Sequence, residues 1–199
     1  MLPRPSNRRP LWALLLAGAL LLGACGPSAA GATFDPSAPC PAEGRQPGAY
    51  PALEALLPGD LDGEAPDSMD SGRSCTADTL GTLAERGVDE LRFAGATWKT
   101  GGTSGLTLAL FEADGLEAGK MLEFYETGAR GARRTEKLVT SDTTVAGEGA
   151  KRLDVLGSDG TGQTVVAWPA GRPGAVWVLL AADVGDARVA EILETFGSR

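Results

Sequence analysis

The chain has no histidine among its 199 residues, and only four lysines, Lys99, Lys120, Lys137 and Lys151. Without imidazole, neither a Ser-His-Asp nor a Cys-His nucleophile can be assembled. No lysine has Ser or Thr three residues before it, so the S-x-x-K arrangement is missing too. G-x-S-x-G and the phosphate-cradling G-x-x-x-x-G-K-[ST] are also absent. The cysteines, Cys25, Cys40 and Cys75, lack the close spacing of zinc ligands, and no metal is expected. No apolar run is long. The longest, Leu11 to Leu22, has about twelve residues, whereas a spanning helix needs roughly 20. These absences point away from an enzyme, and no cofactor is expected.

What is present begins with three zones at the N-terminus. Arg4, Arg8 and Arg9 form a basic stretch with no acid before Asp35. The Leu11–Leu22 run has the length of a signal-peptide core. It ends in Leu22, Gly23, Ala24 and Cys25, a tetrapeptide that resembles the bacterial lipobox. The resemblance covers residues 1–25 and implies cleavage before Cys25, with lipid placed on its sulfur and new amino terminus. Residues 1–24 then read as a signal peptide, and the chain as exported and lipid-anchored on the extracytoplasmic side of the cell membrane. Each buried CH₂ contributes about 0.8 kcal/mol, and more than one acyl chain gives a stable anchor. Asn7 to Trp12 also resembles, more loosely, a twin-arginine export signal.

Removing residues 1–24 from the 199 leaves 175, enough for one domain with a sizeable core. Three of the 18 basic residues go with them, leaving 15 against 26 acids, a net charge of −11. That balance argues against nucleic acid and against electrostatic clinging to anionic headgroups, so the acyl anchor holds the membrane alone. A single isoleucine and a single asparagine, beside abundant Ala, Gly, Pro and Arg, suit a GC-rich bacterial genome. With Cys25 lipidated, Cys40 and Cys75 remain as a pair. An oxidising compartment favours a disulfide between them. In the chain-entropy account, closing that loop stabilises the fold by roughly 3–4 kcal/mol.

Residues 25–50 are rich in Gly, Ala, Pro and Ser and read as a flexible tether; residues 51–199 read as one domain. A helical turn is expected at 52–57, and the acidic stretch 59–74 as loop or edge strand. Thr76 suits an N-cap for a helix carrying Leu80, Leu83 and Ala84 and stopping at Gly87. Residues 91–98 and 106–113 read as a hairpin, and Asp114 with Glu117 as a capping box opening a middle helix with Met121, Leu122 and Tyr125 inward. Strands near 138–146, 150–156, 163–168 and 175–182 follow, then a helix over 186–196. The order α-β-β-α-β-β-β-β-α predicts an α+β fold with a mainly antiparallel sheet of about six strands. Strands 163–168 and 175–182 are apolar on both faces and should be central. This arrangement resembles small lipoproteins of GC-rich bacteria, and no motif beyond the lipobox carries a function over.

Asp60, Asp62, Glu64, Asp67 and Asp70 offer oxygen ligands for calcium, but Ala65 and Ser71 occupy the two key EF-hand positions. The run reads as a solvated acidic loop. Glu123 with Glu126, and Glu191 with Glu194, stand three apart on helix faces expected to be wet. Arg130, Arg133, Arg134 and Lys137 follow the middle helix, where cations are stabilising in any case. Trp98, Trp168 and Trp177 fall in strands. A four-residue loop would set Trp168 opposite Trp177 as a cross-strand pair. With Tyr125 of the middle helix as a wall, these residues form the candidate groove for a small apolar ligand. The sequence thus supports a membrane-tethered binding or interaction module. A structural envelope component touching a neighbouring protein is the alternative, and a carboxylate-based hydrolase the second.

Overall fold

Alternating apolar residues in 91–112 and 162–182 build the middle of one sheet. The computed structural model describes residues 34–40 and 42–197; Cys25, the lipobox and the segment read as a signal peptide lie outside the described residues. The strands are β1 (Gly44–Gln46), β2 (Ser68–Ser74), β3 (Leu91–Gly101), β4 (Ser104–Glu112), β5 (Thr135–Val145), β6 (Glu148–Gly157), β7 (Gly162–Pro169) and β8 (Ala175–Ala182). They form a single antiparallel sheet in the order β1-β2-β3-β4-β8-β7-β6-β5. The fold is therefore α+β and mainly sheet, with eight strands rather than six. Helices α1 (Pro51–Glu54), α2 (Ala77–Leu80), α3 (Thr82–Glu85), α4 (Ala118–Gly131) and α5 (Asp186–Gly197) cover it.

As their two-sided apolar sequence requires, β7 and β8 lie inside the sheet. On one face Ala94, Ala96, Leu106, Leu108, Leu110, Val166 and Leu179 meet Val189, Ile192, Leu193 and Phe196 of α5, together with Leu53, Leu57 and Leu61. On the other face Leu153, Val165, Val176 and Val178 meet Met121 and Leu122 of α4, with Leu80 and Leu83 of α2 and α3. The result is three layers with two cores, and Phe34–Arg199 is a compact unit in its own right.

Three local expectations are corrected. Thr76 does cap a helix, accepting from the Thr79 N–H, but the helix breaks into α2 and α3 at Gly81. Gly81 has φ 50°, ψ −127°, a conformation that side chains oppose. Second, Asp114 is no cap: Glu117 occupies the N-cap of α4 and makes no side-chain capping bond. Third, the segment expected to be a flexible tether takes up fixed structure well before residue 51. Strand β1 pairs with β2, and Cys40 is bridged to Cys75 with Cα atoms 5.7 Å apart.

Arg73 explains that third correction. Its guanidinium is buried, yet donates to the carbonyls of Ala42 (2.8 Å), Pro36 (3.3 Å) and Ala38. Phe34 lies against it, 5.7 Å from ring centre to guanidinium carbon. Burial pushes the Glu43 carboxyl up, but hydrogen bonds from the side chains of Thr76 and Thr79, with that from the Thr76 N–H at 2.6 Å, hold it below the usual range. A segment with almost no apolar residues is thus fastened by one buried cation, one carboxylate and one disulfide.

Candidate functional site

Strand register places side chains in rows across the α5 face of the sheet. One row runs Trp168, Trp177, Leu110, Ala94; the next runs Val166, Leu179, Leu108, Ala96. Trp168 and Trp177 are directly opposite each other, as the loop length between them predicts. Thr164, Ala181, Leu106 and Trp98 make a third row. Trp98 therefore belongs two rows from the tryptophan pair. It is buried against Phe196, with ring centres 6.1 Å apart, and its indole donates to the Glu64 carbonyl at 3.0 Å.

Between the tryptophan pair and the segments above it lies an open groove of about 270 Å³. Leu108, Leu110, Trp168 and Trp177 form its floor, Phe196 one wall, and Leu56 and Pro58 the other. Leu56, 47% exposed, stands at the rim. Arg172 is the single charged residue lining the groove among the described residues. It pairs with Glu112, which stands beside Ala175 in the row at the end of the sheet.

The groove differs from the expected set in two residues, for neither Trp98 nor Tyr125 lines it. Tyr125 sits on α4, across the sheet from the tryptophans, in the second core beside Phe124. Burial pushes its phenol up to about 12, so it is neutral at physiological pH. The physical reason is the crossing of α4 to the face opposite α5. The residues sequence reasoning missed are Leu56, Pro58, Arg172 and Phe196. An apolar residue after a helical turn and an arginine in a Gly-Pro-Gly loop were their faint signals.

The other candidates are dispersed. Asp62 pairs with Arg188, Asp70 with Arg45 at 3.3 Å, and Asp67 accepts from the Lys99 N–H at 2.7 Å. Asp60 accepts from the Gly63 N–H, so the acids of this stretch face separate partners. No group of three or more metal-ligating side chains occurs among the described residues. Glu123 pairs with Arg86, Glu126 with Arg130, and Glu191 with Arg188. Arg134 reaches Asp159 at 3.5 Å, and Lys137 lies on β5. At the far end of the α5 face, Arg152 binds Asp154 and Asp186, and Thr164 donates to Asp154. No helix among the described residues is long and apolar enough to cross a membrane. No family model, curated protein or solved structure matches this chain.

Proposed function

We propose that this protein is a membrane-anchored extracytoplasmic lipoprotein whose domain binds an apolar ligand in the Trp168–Trp177 groove. The observation that carries the reading is the groove itself: an open apolar slot over an aromatic pair, lined by a single ionic side chain. Ligand sites are concave, largely apolar and furnished with few polar groups. At about 270 Å³, just under the usual range for drug-sized ligands, the groove takes one acyl segment or one ring. The anchoring half of the reading rests on the lipobox resemblance at Leu22 to Cys25.

Tryptophan emission of the domain tests the binding half. Saturable quenching or a blue shift on titration with a medium-chain alcohol, lost in Trp177→Ala, is the expected result. An unchanged spectrum up to the solubility limit refutes it. Membrane fractionation of the full chain tests the anchoring half: Cys25→Ser should move the protein into the soluble or uncleaved fraction.

A further inference from the structure

We infer that the groove selects a single-chain carboxylic amphiphile, of the fatty-acid class, with Arg172 as the counter-ion of its headgroup. The inference rests on the binding reading above and adds the chemistry of the ligand's polar end.

Its basis is the inventory of polar side chains in the groove. Leu56, Leu108, Leu110 and Phe196 offer none, which leaves Arg172, Trp168 and Trp177. A guanidinium and an indole are donors only. The Trp98 indole is satisfied by the Glu64 carbonyl and lies outside the groove. A site whose side chains can only donate demands a headgroup that can only accept. A carboxylate fits that demand; the one acceptor side chain at that end of the groove, Glu112, already pairs with Arg172. A peptide fits poorly for the same reason, since it carries an N–H at nearly every residue.

Arg172 is also held in place to serve. Its loop is closed by bonds from the Ala170 N–H to the Ala175 carbonyl and from the Ala113 N–H to the Gly174 carbonyl. Gly174 has φ +71°, and a Cβ there would come within 2.5 Å of the Ala113 carbonyl oxygen. The backbone under Arg172 is therefore fixed at the groove's end. Glu112 already sets a carboxylate on that guanidinium. It is the internal competitor that such a ligand must share or displace. The five donors of an arginine permit both.

The test compares decanoate, 1-decanol and decylamine, each below its micelle concentration, on the Phe34–Arg199 domain, followed by tryptophan fluorescence. Decanoate is expected to bind at least about tenfold more tightly than decanol, as a hydrogen bond to a charged partner implies. Decylamine should bind most weakly. Arg172→Gln should bring decanoate down to the decanol level and leave decanol unchanged. Glu112→Gln, by removing the competitor, should tighten decanoate several-fold. Equal binding of decanoate and decanol, or an Arg172→Gln variant that keeps the preference, overturns the headgroup assignment while leaving the groove reading standing. Failure of all three amphiphiles to bind removes both.

Discussion

Replacing Arg73 by methionine tests how residues 34–46 are held to the domain. Methionine keeps an apolar stem but neither the guanidinium nor its contact with Phe34, so the loss reports on the carbonyl bonds and the ring contact together. Three carbonyls, those of Pro36, Ala38 and Ala42, lose a charged donor. Each such bond contributes about 1.5–3 kcal/mol. The full sum is not expected, because these carbonyls belong to a surface segment and regain water. Nor is Glu90 left alone: it lies 3.7 Å from Arg73 but only 2.9 Å from Arg92. A loss of about 3 kcal/mol follows, against a total of about 5–15 kcal/mol for an ordinary domain. Urea unfolding of Arg73→Met and the parent domain measures it, and trypsin reports where it acts. Cleavage after Arg45 should accelerate in the variant, while the core, retained by the disulfide-independent packing of α4 and α5, stays intact. An unfolding midpoint shifted by less than about 0.5 kcal/mol, with Arg45 equally protected, refutes the account.

Two further outcomes are expected. Cys40→Ser with Cys75→Ser should cost about 3–4 kcal/mol by freeing the 35-residue separation, read as a lower denaturation midpoint in the absence of reductant. Asp154 is held below its ordinary 3.8: burial opposes the charge, but hydrogen bonds from Arg152 and Thr164 prevail. Its contribution is thus complete above pH 3.8 and fades as pH falls through the lower folded value. The carboxylate is partly solvated, so Asp154→Asn should cost less than about 1 kcal/mol near neutrality. That difference should vanish in strong acid, and a gap that persists there would contradict the assignment.

Local chemistry made much of the fold legible. The stripe of Val189, Ile192, Leu193 and Phe196 marked α5, and all four are buried. The spacing across residues 169–176 set Trp168 against Trp177 before any tertiary information. Of three cysteines, the lipobox resemblance set Cys25 aside, and the remaining two, Cys40 and Cys75, are bridged. Less legible were β1 and β2, whose residues are mostly polar or glycine and whose place at the sheet edge depends on Arg73 and the disulfide. Gly72 illustrates this: a Cβ there would fall 2.2 Å from the Gly44 carbonyl oxygen, so close approach rather than hydrophobicity selects the residue. Of the four residues read as a groove, Trp168 and Trp177 line one slot, and Trp98 and Tyr125 do not.

The sequence by itself determined which residues alternate, which helices are amphipathic and which neighbours form hairpins, because each depends on spacings of two, three or four residues. Tertiary structure alone decided that β4 pairs with β8, joining two hairpins distant in sequence. It also decided that α4 and α5 cover opposite faces. Those choices depend on which whole faces bury most apolar surface together, a property no short window contains. They moved Tyr125 away from the tryptophans and brought Leu56, Arg172 and Phe196 to them.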